Sequence, residues 1–288
     1  MFAVTGITGK VGGTVADSLL KAGLPVRAIV RDKAKGAPWA ARGAEVAIAD
    51  FSNASALTDA FAGADGVFLM TPPNFDPEPG FPETQANAAA LKTAIATGRP
   101  GKVVFLSTVG AQATEPNLLS NSRMTEEMLR TVAAPVAFLR ASWFMENASW
   151  DVEAARTGIV PSFLQPLDHA IPMVATTDIG RTAAGLLLET WTGTRVVELE
   201  GPRRYSAADI GNAFAAALGR DVRMEPVPRD SWEALFRSQG MKHPMPRIRM
   251  VDGFNEGWID FERTGEHRIG EVTLETVIAG LVNQKDKP

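Results

Sequence analysis

The sequence predicts an α/β fold: a doubly wound parallel sheet carrying a smaller, irregular α+β lobe toward the C-terminus. Three observations carry this prediction. Through the first half of the chain, short apolar runs alternate with stretches of helical spacing, the pattern of a parallel sheet covered by helices on both faces. A glycine-rich turn stands at the first strand–helix junction. After residue 150 the rhythm breaks, and Pro, Gly and aromatic residues take over. The chain has 288 residues, against about 100–200 for a typical single domain, so one large domain with an appended lobe fits.

Strands are expected at FAVTG, PVRAIVR, AEVAIAD, GVFLMT, KVVFLST and PVAFLRA. Val11, Val15 and Leu19 fall one turn apart on a helix face, with Gly23 as the stop. Leu57, Ala60 and Phe61 mark a second helix ending at Gly63, and the Ala-rich segment 83–97 forms a third. A fourth spans 124–132, with a Ser or Asn cap among 120–122. Residues 150–173 read as a loop-dominated insertion. Asp178 is expected to cap a helix running to Glu189, and 195–201 to return to the sheet as a strand. Ser206 caps a further helix that Gly219 ends. A short strand at 222–227 and helices at 231–238 and 274–281 complete the chain.

Composition removes several function classes. There is no cysteine, which excludes disulfides, thiolate metal sites and cysteine nucleophiles. His169, His243 and His267 share no metal-ligand spacing, so no metal is expected, and no G-x-S-x-G elbow supports a serine hydrolase. The opening MFAVTGITGK lacks the basic stretch and apolar core of a signal peptide. No apolar run reaches the roughly 18 residues of a membrane span, so a cytoplasmic location is expected. The net charge of −4, without a long basic stripe, argues against nucleic acid as a partner. Residues 1–36 nevertheless hold Lys10, Lys21, Arg27, Arg31, Lys33 and Lys35 against Asp17 and Asp32. Such a positive segment in an acidic protein attracts a phosphorylated ligand.

The sharpest local signal is Thr5-Gly6-Ile7-Thr8-Gly9-Lys10-Val11-Gly12-Gly13, which follows the first strand and opens the first helix. Gly6 suits the tight turn, Gly9 lets backbone N–H groups approach a pyrophosphate, and Gly12 lets the helix pack closely on the sheet. The helix start adds unsatisfied donors and the positive end of its dipole. The spacing is G-x-x-G-x-x-G rather than G-x-G-x-x-G, and a dinucleotide remains the expected ligand. Its identity turns on the second strand, which ends Ile29-Val30-Arg31-Asp32-Lys33. An Arg there accommodates a ribose 2′-phosphate, whereas an acid would bond a free 2′-hydroxyl. Three cations, Arg31, Lys33 and Lys35, surround Asp32, so NADP(H) is the expected cofactor. Asp50 and Phe51, after the third strand, are expected to flank the adenine. The dinucleotide-binding domain then covers 1–150, with 178–202 returning to it, and 151–177 with 203–288 form a substrate lobe.

Taken together, TGITGKVGG, AIVRD, VAIADF, VVFLSTVGA, the T-E-E-x-L segment at 125–129, FLRASWFMEN, DIGRTAAGLLLE and ELEGPRRYSAADIGNAFAAALGRDVRMEPVP resemble the NmrA-like branch of the atypical short-chain dehydrogenases. That branch includes NAD(P)H-dependent quinone reductases and NADP-sensing regulators. The resemblance implies cofactor contacts from Thr8, Gly9, Lys10 and Val11, from Arg31, Asp50 and Phe51, and from Met70, Thr71 and Pro72. It further implies contacts from Ser107, Thr108 and Val109, and around Phe144 to Asn147. Trp143, Phe163, Trp232 and Phe254 are candidates for an apolar substrate pocket, and the motif itself points to Phe144 and Met145.

One departure matters. Typical short-chain dehydrogenases use a Tyr with a Lys four residues later as proton donor and helper. The one tyrosine here is Tyr205, followed four residues later by Asp209, and no lysine stands between Lys102 and Lys242. The position three before the T-E pair, often Lys or His in relatives, is Ser122. Ser107 is left as a candidate hydroxyl near the nicotinamide, with a backbone cap as its other reading. Two functions follow: an NADPH-dependent reductase of quinones or similar electron-poor small molecules, or a non-catalytic NADP(H) sensor that answers to a protein partner.

Overall fold

The computed structural model describes residues 1–284; the last four residues of the expected lobe, 285–288, lie outside the described residues. Six strands open the chain: β1 (Phe2–Val4), β2 (Val26–Val30), β3 (Glu45–Ile48), β4 (Gly66–Leu69), β5 (Val103–Thr108) and β6 (Val136–Ala141). Then come β7 (Trp143–Phe144), β8 (Ile159–Ser162), β9 (Ile171–Val174), β10 (Thr194–Glu200), β11 (Arg204–Tyr205), β12 (Arg223–Pro226) and β13 (Glu266–Ile269). An eight-stranded sheet has the order β13-β10-β6-β5-β4-β1-β2-β3, and every pairing in it is parallel. The expected α/β fold is therefore present.

Strand side chains alternate between the two faces. On one face, Val4, Val104, Leu106 and Leu139 pack with Val11, Val15, Leu19, Ile179 and Leu187 from α1 (Lys10–Lys21) and α7 (Thr176–Leu188). On the other, Ala3, Val67, Phe105 and Phe138 pack with Leu57, Phe61, Leu91 and Leu129 from α3 (Ala54–Phe61), α4 (Pro82–Gly98) and α5 (Ser120–Leu129). The intervening α2 (Lys33–Ala40) was not expected, because Gly36 and Pro38 interrupt any helical pattern. Asp32 starts it by accepting from the Ala34 amide at 2.9 Å. A Cβ at Gly36 would press on Val46 at 2.6 Å, so that glycine is what lets α2 lie flat on the sheet.

The smaller lobe holds β11-β9-β7 and β12-β8. With them go a 3₁₀ helix at Met145–Asp151, α6 (Val152–Thr157), α8 (Ala207–Leu218), α9 (Trp232–Ser238), α10 (Met245–Glu256) and α11 (Leu274–Asn283). They enclose a core of their own that includes Met145, Tyr205, Phe214, Trp232 and Phe254.

Several sequence expectations need correction, among them that no helix stands between 238 and 274, where α10 lies. Residues 150–173 are not mainly loop, since α6, β8 and β9 lie there, and both strands find their partners only across the lobe. β13 was also missed, and it joins the large sheet beside β10. The α5 helix begins after Leu119 without a side-chain cap and ends at Leu129 rather than 132. Asp178 does not cap α7; it is buried, and its carboxylate accepts from the Val272 amide at 2.8 Å. The cap comes from Glu146, 30 residues away, whose oxygens accept from the Thr176 amide at 2.9 and 3.0 Å and from its hydroxyl at 2.6 Å.

Candidate cofactor and substrate site

The sheet order reverses between β4 and β1, the point where open α/β sheets bind ligands beyond the strands' carboxyl ends. The expected site residues sort to that edge. Gly6 to Gly12 follow β1, Arg31 follows β2, Asp50 and Phe51 follow β3, and Met70 to Pro72 follow β4. Thr108 closes β5, Val109 comes next, and Phe144 to Asn147 lie beyond β6.

The turn after β1 is tight and closely packed. Gly6 takes φ +61, a left-handed conformation that L side chains avoid, and its oxygen accepts from the Gly9 amide at 2.9 Å. A Cβ at Gly12 would meet the backbone oxygens of Gly6 and Thr5, so α1 packs against the turn as closely as a helix can. Gly9 differs. Its conformation (φ −93, ψ 175) suits any residue, and the nearest atom to an added Cβ is the Gly6 oxygen at 3.3 Å. A side chain there would push that backbone oxygen by a few tenths of an ångström, a far milder crowding than at Gly12. The α1 helix starts at Gly9 with neither a side-chain cap nor an acid in its first turn, which leaves its first N–H donors for an anion. Thr5, passed over as a site residue, fixes the floor: its hydroxyl oxygen accepts from the Met70 amide at 2.7 Å, and so ties the ends of β1 and β4 together. Its place at the head of TGITG was the available signal.

The ends of β2 and β3 place the residues expected around an adenine. Asp32 spends its carboxylate on capping α2, whereas Arg31 is exposed and forms no ion pair among the described residues. Asp50 accepts from the Ser52 amide at 3.0 Å and its hydroxyl at 2.7 Å; these bonds, with the charge of Arg31, hold its carboxyl below the usual range. The ring of Phe51 packs in the core, so a ligand there would meet its backbone rather than its ring face.

Other expected residues turn inward. Val11 and Val109 are buried; the Val11 amide lies in the open first turn of α1, whereas the Val109 amide donates to Ala141 at 2.8 Å. Ser107 is buried, and its hydroxyl donates to Glu126 at 2.6 Å. Glu126 is gripped at 2.8 and 2.9 Å by Arg140, which also reaches Glu262 at 2.6 Å. Ser107 thus completes a buried ionic network rather than facing the crevice. Met145 is only 1% exposed and sits in the lobe core, so of the two expected pocket residues only Phe144 stays partly open. Thr8, Gly9 and Lys10 are exposed, and Met70, Thr71, Pro72, Thr108 and Asn147 are half-buried at the crevice. Nearby, Phe75 and Trp150 meet edge to face with 48% and 64% of their surfaces exposed. Burial pushes the adjacent Asp151 up to about 6.

The lobe is tied across the edge. Asp76, in the β4–α4 loop, accepts from the Lys242 amide at 2.8 Å and the His243 amide at 2.6 Å. Burial works to raise its pKa, but these two bonds and the neighbouring charges outweigh it and hold the carboxyl low. The Leu118 amide donates to Pro246 at 2.8 Å, and the Gln112 side chain to Asp260 at 2.7 Å.

With that geometry in view, comparison with known proteins is decisive on kinship: residues 1–257 match the NmrA-like family. The chain belongs to that family. Among NmrA-like relatives, an NAD(P)H azoreductase of Xenophilus azovorans is 27% identical over 89% of this chain and 85% of its own. Quinone oxidoreductase 2 of Escherichia coli is 26% identical over 98% and 99%. The crystal structure of that Escherichia coli quinone oxidoreductase with NADPH superposes with a TM-score of 0.80 at 24% identity, covering 98% of this chain and 100% of the other. A Citrobacter triphenylmethane reductase with NADP(H) gives 0.80 at 20% identity and the same coverage. No described helix is long and apolar enough to cross a membrane.

Proposed function

We propose that this NmrA-like protein is an NADP(H)-dependent reductase that delivers hydride to quinones or similar electron-poor small molecules without a dedicated proton donor. The observation that carries the reading is the open, uncapped start of α1 at the sheet's switch point, with the unpaired Arg31 at the end of the neighbouring strand. The names of the relatives, an NAD(P)H azoreductase and a quinone oxidoreductase, agree with it. Gly6, Thr8, Gly9, Lys10, Val11 and Gly12 would hold the pyrophosphate, Arg31 the 2′-phosphate, and Asp50 with the Phe51 backbone the adenine edge. Met70 to Pro72, Thr108, Val109 and Asn147 would border the nicotinamide, and Phe144 the acceptor. When bound, the reduced nicotinamide supplies a hydride.

The chain's own part is binding, orientation and exclusion of water, with the lobe of 151–177 and 203–288 serving as the roof over the acceptor. Proton supply separates substrate classes. A ketone that gains hydride becomes a strongly basic alkoxide and calls for a positioned acid, a contribution of about 10²–10⁴-fold. Tyr205 is poorly placed for it: 1% exposed, with its oxygen accepting from the Leu274 amide at 3.3 Å inside the lobe. A quinone that gains hydride becomes a hydroquinone anion whose charge the ring delocalises, and water protonates it afterwards. Steady-state NADPH oxidation is therefore expected with small quinones and not with aliphatic ketones. Efficient ketone reduction that collapses in Tyr205→Phe would overturn the mechanism. Tight NADPH binding with no turnover of any acceptor would make the protein a sensor.

A further inference from the structure

Arginines in the lobe are generally neutralised: Arg229 holds Asp252, Arg237 holds Glu233, Arg204 holds Asp260 and Arg249 reaches Asp252. Arg247 is not. It is half-buried, has no carboxylate or hydrogen-bond partner among the described residues, and lies over the Phe236 ring at 4.6 Å. Burial alone pulls its pKa down. It also occupies the first turn of α10, where the helix dipole disfavours a cation. Burial, missing counter-charge and dipole all weigh against a guanidinium here, and the Phe236 ring is the one stabilising partner that it has among the described residues.

Its position does have a use. Arg247, Val251 and Phe254 recur at helical spacing and share one face of α10. Phe254 meets Trp143 edge to face at 5.2 Å, and Trp143 immediately precedes Phe144. On the other side, Phe236 lies 5.1 Å from Phe163. Trp143 and Phe163 both keep part of their surface open. One turn before Arg247, the tie from Asp76 to Lys242 and His243 joins this segment to the loop after β4. An unpaired cation thus stands among aromatic rings where the lobe meets the carboxyl edge.

We infer that Arg247 is the receptor for an anionic group on the acceptor, so that the preferred substrates are planar aromatic or quinonoid compounds bearing a sulfonate or carboxylate. The inference rests on the reductase reading for the word substrate, but the site itself does not. Its test uses two kinds of probe. Titration of 2-naphthalenesulfonate, which accepts no hydride, into the protein with NADPH measures the site without turnover. Binding should weaken by about tenfold or more in Arg247→Gln, the loss expected for a charge-assisted hydrogen bond, and recover in part in Arg247→Lys. In turnover, KM for a naphthoquinone sulfonate should rise by a similar factor in Arg247→Gln, with kcat and the KM for uncharged menadione nearly unchanged. Thermal melting of each variant checks that it is folded. Equal affinity of wild type and a folded Arg247→Gln for the sulfonate would overturn the inference, as would equal KM changes for both quinones. Sulfonate binding that depends on Arg247, with no quinone turned over, would keep the anion site and reject the reductase reading.

Discussion

At the scale of single residues, two arginines carry the proposed ligand contacts. Arg31 stands free because Asp32, its neighbour and the natural ribose ligand of an NAD site, is consumed as the cap of α2. The sequence left Arg31 and Asp32 as competitors, and the bond that Asp32 accepts from Ala34 favours Arg31 in the proposed site. Arg31→Ala should therefore weaken NADPH by about tenfold or more and leave NADH almost unchanged, since a charge-assisted bond to phosphate is worth roughly 1.5–3 kcal/mol. Fluorescence titration of both cofactors reads this directly, and equal losses would mean that Arg31 does not meet the phosphate. Ser107 shows the opposite outcome. Its position at the end of β5 suggested a catalytic hydroxyl, yet the proton is committed to Glu126, which lies 19 residues on and is invisible to local reading.

Among elements, the β1–α1 junction uses glycine for two distinct reasons. Gly12 is demanded by packing, because any side chain there meets backbone oxygens that cannot move aside. Gly9 is crowded far less, with the Gly6 backbone oxygen at 3.3 Å as the nearest atom to an added Cβ. Gly12→Ala should thus destabilise the protein by roughly 1–3 kcal/mol, the usual penalty of overpacking. Gly9→Ala should lose clearly less stability than Gly12→Ala but bind NADPH at least about tenfold more weakly, by loss of close backbone approach to the phosphates. Denaturant melts and cofactor titrations on the two variants separate the roles; a Gly9→Ala protein that binds normally would show that the pyrophosphate lies elsewhere. A similar close approach joins α1 to α7, where a Cβ on Gly180 would strike Thr14 and the Val11 carbonyl.

Over the whole molecule, the crevice exists because two cores are held edge to edge by a few long-range polar ties. Asp76 binds backbone amides 166 and 167 residues away. Its depressed pKa means that the tie is complete above the ordinary Asp range and is lost as pH falls through the lower folded value. At neutral pH, Asp76→Ala removes both acceptors and frees the segment around Lys242. Trypsin should then cut after Lys242 faster than in the wild type, while the large sheet stays resistant. Unaltered cleavage at Lys242 would show that other contacts hold the lobe.

The sequence alone determined most of the parallel sheet, most of its helices and the glycine turn after β1, because these depend on short-range periodicity and on glycine at positions where the backbone itself decides. It also determined that Tyr205 has no lysine partner. Tertiary structure decided the rest. β8, β9 and β13 exist through partners that lie far off in sequence, and Glu146 caps a helix that Asp178 seemed placed to cap. Val11, Ser107 and Met145 turn inward because neighbouring segments bury them, and Arg247 stands out only once every other lobe arginine near it has found its carboxylate. Pairing and burial belong to the folded chain, and no local pattern encodes which distant group a side chain will meet.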